Sequence, residues 1–145
     1  MSGEVDGRSV MAHALVPVAN VADARATAAA LVAYAPERTT VVHVVEKGGG
    51  VPDKTPVEQS EDVAEAAFAA FRERFPDADT HVAYGSDVVE AIVDAAEEVD
   101  ATAIAFQPRG GSRLVQFLSG DRALRLVTEA DRPVVSLGTG DSGES

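Results

Sequence analysis

The chain has 145 residues, enough for one domain with one adequate core, and no cysteine, which excludes disulfides, thiol catalysis and cysteine-based metal sites. Aspartate and glutamate number 24 against 12 lysines and arginines, a net charge of −12, so the surface should repel nucleic acid and anionic lipid. The first residues carry acids and no long apolar run, and no stretch approaches the roughly 18 apolar residues that span a membrane, so a soluble, cytoplasmic protein without a secretory leader is expected.

Residues 1–10 are polar and read as a loose tail. His13–Val18 (HALVPV) suits a strand buried on both faces, with Pro17 tolerable at its end. Asn20 can cap a helix, with Asp23 as the reciprocal acid. Ala22, Ala26, Ala29, Ala30 and Ala33 follow helical spacing and predict its buried stripe, and Pro36 ends it. Thr39–Val45 (TTVVHVV) is a β-branched second strand. Gly48, Gly49 and Gly50 lack fingerprint spacing and read as a connection. Thr55, Pro56 and Glu58 supply a cap, a first-position proline and a reciprocal acid. Val63, Ala67, Ala70 and Phe71, flanked by Phe68 and Phe75, form one apolar face, and Pro76 stops this helix.

Thr80–Tyr84 is a short third strand. Gly85 turns the chain, and Asp87 with Glu90 can form a capping box. Val88, Ile92, Ala95, Ala96 and Val99 make a helical stripe. Ala101–Phe106 is the fourth strand. A glycine-bearing loop follows over Gln107–Ser112, then a short helical turn over Leu114–Leu118. A last helix runs from Asp121 to Ala130 with Ala123, Leu126, Val127 and Ala130 inward. Pro133–Leu137 begins with proline, as an edge strand can. Residues 138–145, GTGDSGES, read as a disordered tail. Five strands alternating with four helices predict an α/β fold, a doubly wound layer over residues 11–137.

The unit over 101–137 is strand, glycine loop, helix, strand, which is the layout of a parallel α/β unit with an anion site at the helix start. Gly110 and Gly120 are separated by nine residues. Together with Val16-Pro17-Val18, Val42-His43-Val44-Val45 and the stretch Gly85–Ile92, this pattern resembles a universal stress protein (UspA-like) domain. The resemblance implies a five-stranded parallel sheet of order 3-2-1-4-5, helices on both faces, the adenine nucleotide alpha hydrolase-like layout. It also implies a homodimer, here expected through the strand at 133–137, which leaves an apolar edge needing cover. Ligands in such sheets settle at the carboxyl ends of strands where the strand order reverses.

That family's nucleotide motif reads Gly, two residues, Gly, nine residues, Gly, then Ser or Thr. Here Gln107 holds the first glycine position and Asp121 the final hydroxyl position. ATP-binding members also carry an aspartate after the first strand; here Ala19 follows Pro17 and Val18 and offers no acceptor. A bulky Gln107 obstructs close approach of a ligand to backbone. Asp121, read as the cap of its own helix, puts a negative charge where phosphate would run. The degenerate site thus comprises Pro17, Val18, Ala19, Gln107, Arg109, Gly110, Gly120, Asp121 and Arg122. The resemblance implies a stress-linked binding or regulatory domain that does not bind ATP in the usual way. One alternative keeps ATP, AMP or another anion on Arg109, Arg113 and Arg122, with pairing to the acidic surface as the simpler role for these arginines. Another makes the chain a regulatory partner of a transporter or other protein.

No Ser-His-Asp order, HExxH or P-loop is present, so no enzyme and no metal or cofactor is expected. His13, His43 and His81 fall on different strands and read as packed or surface histidines. Lys47 and Lys54 are the only lysines. Acid excess, scarce lysine and abundant alanine read as adaptation to strong salt, where the Debye length falls to about 3 Å.

Overall fold

The computed structural model describes residues 10–46, 56–107 and 120–137, with the side chains at 46, 56–60 and 120–124 excepted. All but the last residue of the expected tail at 1–10, the expected tail at 138–145, the Thr55 cap, the Gly48–Gly50 connection and the turn over Leu114–Leu118 lie outside those residues. The described elements run β1 Ala14–Pro17, α1 Val21–Leu31, a 3-10 turn Val32–Tyr34, β2 Thr39–Glu46, α2 Pro56–Arg72, β3 Asp79–Gly85, α3 Val88–Val99, β4 Ala103–Phe106, α4 Gly120–Glu129 and β5 Val134–Ser136. The sheet is parallel throughout, with order β3-β2-β1-β4-β5, as the resemblance implied.

Two apolar layers sandwich the sheet. Ala24, Ala28 and Leu31 of α1 and Ala64, Ala67, Phe68 and Phe71 of α2 pack on Val16, Val18, Val41 and Ala105. On the other face Val88, Val89, Ile92 and Ala96 of α3 and Leu126 of α4 cover Leu15, Val42, Val44, Ile104 and Phe106. Phe71 stacks on Phe75 with ring centroids 5.2 Å apart. The central strands β1 and β4 are buried along their whole length, which is why they read as unbroken apolar runs.

Three helical faces differ from the sequence expectation. In α1 the buried residues are Asp23, Ala24, Thr27, Ala28 and Leu31, while Ala22, Ala29 and Ala33 are exposed. Alanine stands on every side of this helix, so alanine spacing does not mark the inner face. In α2 it is Ala64 rather than Val63 that turns inward, and Val63 is exposed. In α4 Leu126 is fully buried and Ala130 packs beside it as expected, but Val127 is 55% exposed, so the inner stripe is narrower than expected.

The caps follow the sequence closely. Asn20 Oδ1 accepts from the Asp23 amide at 2.8 Å. Asp87 Oδ1 accepts from Val89 and Glu90 amides at 3.0 and 3.2 Å. At the far end of α3, Asp100 takes a left-handed conformation (φ 63°). Arg132 Nη1 there donates to the carbonyls of Ala96 and Ala101 at 3.0 and 2.7 Å, so the helix end is satisfied by a cation.

Arg25, Arg38 and Arg125 pair with Glu73, Asp79 and Asp87 at 2.9–3.1 Å, all at the surface, where such pairs add little. They leave the acid excess of the chain standing. The melting temperature should therefore rise between about 0.1 and 2 M KCl as self-repulsion is screened. A melt unchanged or lowered by molar KCl would remove the reading of salt adaptation.

Candidate functional site

The strand order reverses between β1 and β4, past Pro17 and Phe106, which is where ligands settle in open parallel sheets. The chain leaves β1 through Val18 and Ala19 and enters α1 at the Asn20 cap. The β1–β4 register joins Ala14 to Ala103 and Leu15 to Ile104. Extending that register brings Val18 beside Gln107, and the β1–β2 register, Val16 to Val41, brings Val18 beside His43.

The peptide joining Val18 and Ala19 is held from both sides. Its carbonyl accepts from His43 Nδ1 at 3.0 Å. Its amide donates to Asp23 Oδ2 at 2.7 Å, and the other oxygen of Asp23 accepts from the Thr27 hydroxyl at 2.9 Å. Both ionisable residues are buried. Burial pushes the Asp23 carboxyl up to about 6, against the pull of the Ala19 amide and the Thr27 hydroxyl. Burial also lowers the His43 imidazole, opposed by its bond to Val18. The carbonyl partner fixes the proton of neutral His43 on Nδ1.

These three residues, Asp23, Thr27 and His43, are what the sequence reading missed. The sequence pattern marks Asp23 as a reciprocal capping acid toward Asn20 and His43 only as a packed or surface histidine. The carboxylate instead reaches one residue further back, to Ala19. The available signal was a polar pair at i, i+4, Asp23 and Thr27, sharing a face with Leu31, and a histidine inside a strand buried on both sides.

Of the residues expected at the site, Pro17, Val18, Ala19 and Gln107 are gathered here, at the ends of the two central strands. Arg109, Gly110 and Arg113 lie outside the described residues. Gly120 begins α4, so Asp121 is the second residue of the helix and not its cap; the helix starts one residue earlier than expected. An acid in the first turn still complements the positive helix end. The side chains of Asp121 and Arg122 are outside the described ones.

Elsewhere the histidines serve structure. His13 Nε2 lies 2.7 Å from the Thr40 hydroxyl at the opposite ends of the strands, and His81 pairs with Glu98 at 3.3 Å. A cavity of about 260 Å³ also sits at that opposite end, lined by Arg38, Arg74, Phe75 and Asp77 among others. Arg38 is already engaged by Asp79 there. Among the described residues no group of three or more His, Asp or Glu could hold a metal, and no helix is long and apolar enough to cross a membrane.

The sequence matches the model of the universal stress protein family over residues 7–137. The chain belongs to that family. Among solved structures, the universal stress protein from Archaeoglobus fulgidus is 24% identical, with a TM-score of 0.64 over 87% of this chain and 93% of that one. Its complex with dAMP aligns at 25% identity and a TM-score of 0.62, covering 86% of this chain and 96% of that one. A universal stress protein in complex with cAMP is 14% identical, with a TM-score of 0.61 over 88% and 97% of the two chains, which speaks for the fold. A search of curated protein sequences returns no match. In this member of the universal stress family Asp23, His43 and Gln107 are buried near the carboxyl ends of the central strands.

Proposed function

We propose that this universal stress domain is a non-catalytic binding or regulatory module whose strand-end site does not hold ATP in the family's usual way. The observation that carries the reading is the placement of Asp121 in the first turn of α4. A helix start is where a phosphate is ordinarily received. A carboxylate about 4 Å from phosphate at an effective dielectric near 20 repels it by about 4 kcal/mol, more than the helix end returns. Ala19 and Gln107 act in the same direction, and the Ala19 amide is already taken by Asp23. The structural neighbour bound to dAMP supports a nucleotide-like ligand class for the fold. Titration of Mg²⁺-ATP into the wild type at molar KCl should show no saturable heat below about 1 mM. Micromolar binding would overturn the reading and point to Arg109, Arg113 and Arg122 as compensating cations.

The proposal includes a homodimer through β5. This strand is only 3 residues long, lies at the sheet edge, and leaves Val134 and Val135 partly exposed. Open strand edges invite pairing with a second chain. Sedimentation at molar KCl and micromolar protein should give twice the monomer mass; a monomer there would end the proposal.

A further inference from the structure

Two buried oxygen groups on the α1 side of the sheet are left short of partners. Asp23 is 4% exposed. Its carboxylate accepts from the Ala19 amide at 2.7 Å and the Thr27 hydroxyl at 2.9 Å, which uses two of about four lone-pair positions. Both donors are neutral. The ion pairs among the described residues engage Glu73, Asp79, Glu98, Asp87, Glu129 and Asp131, and none reaches Asp23. A buried carboxylate without a counter-charge destabilises the fold. Gln107 is 7% exposed, and its Oε1 is buried without a hydrogen-bond partner, alone in this among the described side chains. Such an orphaned acceptor asks for a reason. The two groups share one side of the sheet and one end of it. Ala105 packs with the α1 layer and Ile104 and Phe106 with the α3 layer, so alternation turns Gln107 toward α1. Continuing the β1–β4 register sets Gln107 level with Val18, next to the amide that Asp23 holds.

We infer that Asp23 and Gln107 form a site for one monovalent alkali cation, K⁺ or Na⁺, at the carboxyl ends of the two central strands. Such ions take oxygen ligands, and neutral carbonyl oxygens can replace the waters of their hydration shell. The Asp23 carboxylate supplies the one negative charge that one such ion balances. Gln107 Oε1 supplies a neutral oxygen, and water completes the shell. One ion thereby answers both the uncompensated charge and the orphaned acceptor. Divalent ions call for more than this, either several carboxylates or a rigid octahedral shell. No group of three or more acids or histidines stands here among the described residues. Nothing in this depends on which larger ligand binds at the same end of the sheet. A Gln107 that turned its NH₂ toward Asp23 would need no ion, and a glutamate at 107 separates the two arrangements.

The probes are KCl, NaCl and tetramethylammonium chloride at one matched concentration of about 1 M, so that screening of the acidic surface is equal and the cations differ in size. Wild type should melt at least about 3 °C higher in one of the alkali chlorides than in the tetramethylammonium salt. Asp23→Asn removes the charge and keeps an acceptor, so the difference between salts should vanish; this variant also cancels any general effect of the bulkier cation. Gln107→Leu should reduce the difference by at least about half, and Gln107→Glu, which adds a second carboxylate, should enlarge it. Equal melts in all three salts would overturn the inference. So would a difference that survives Asp23→Asn, which would put the ion on the general acidic surface. A difference unchanged by both Gln107 variants would do the same, as would a Gln107→Glu that melts lower in every salt without a larger alkali effect, the mark of an NH₂ group on Asp23. Should a variant fail to fold, wild-type crystals grown in RbCl, whose cation is located by anomalous scattering, should carry a peak between Asp23 and Gln107; a map without it would overturn the site.

Discussion

A triple variant, Ala19→Asp, Gln107→Gly and Asp121→Ser, should bind Mg²⁺-ATP roughly a thousandfold more tightly than the wild type, the factor that about 4 kcal/mol supplies. Asp121→Ser should be the largest single step. It removes a charge from the first turn of α4 and leaves a hydroxyl and a free helix end, worth about 0.3–1 kcal/mol to an anion. Gln107→Gly clears a nearly fully buried side chain from the end of β4 and lets a ligand approach backbone. Ala19→Asp should be the smallest step. A carboxylate there stands beside Asp23, whose Oδ2 lies 2.7 Å from the Ala19 amide. Two carboxylates so placed share one proton rather than ionise together. The three changes act in one pocket, so they need not add. Calorimetry of each single variant and the triple variant at matched molar KCl decides the matter; a triple variant without ATP binding at millimolar concentration would sink it.

The second large effect is on stability. Asp23 titrates near 6 in the fold against an ordinary 3.8, a rise of about two units, or about 3 kcal/mol. For an acid raised in this way the folded state favours the protonated form. Its contribution is fully present below the ordinary value and is lost as pH rises through about 6. Asp23→Asn keeps an acceptor for the Ala19 amide and a neutral group beside Thr27. The stability of wild type relative to Asp23→Asn should therefore fall by about 2–3 kcal/mol between about pH 4 and pH 8. His43 works in the opposite direction. It is lowered by burial, so its contribution is present above its ordinary 6.5 and is lost as pH falls below that value. Both proteins carry His43, so subtracting one urea denaturation series from the other removes it. A difference that stays flat across the range would show that Asp23 does not titrate as its burial demands.

The strands were legible because β-branched and apolar runs leave little else to form. Thr39–Glu46 and Asp79–Gly85 extend their sequence readings by one residue at one or both ends, and Ala14–Pro17 is one residue shorter at each end, as ladder ends vary. The order of the sheet came from resemblance and from strict alternation of elements, and it holds. The α1 face was not legible. Alanine on every side carries no directional signal, and the true inner face includes Asp23 and Thr27, which pattern reading assigns to solvent. Val63 and Val127 misled for the opposite reason: a β-branched residue beside the stripe resembles the stripe. At the site, Ala19, Gln107 and Asp121 could be picked out by motif position. The hold of Asp23 and His43 on one peptide could not, because it joins residues 25 apart in sequence through a strand register that no local pattern encodes.

The two faces of the sheet differ in what they could pass on to descendants. At the carboxyl ends the residues buried on the α3 side include Val44, Val88 and Phe106, whereas the α1 side buries Asp23, Thr27, His43 and Gln107. Interdigitated apolar packing tolerates few exchanges at a time. Hydrogen-bonding groups at strand ends can be traded without repacking a helix. A lineage built on this sheet can therefore conserve its fold through one layer while drifting in ligand preference through the other, and two aberrant positions of this chain, Ala19 and Gln107, sit where such drift is least expensive.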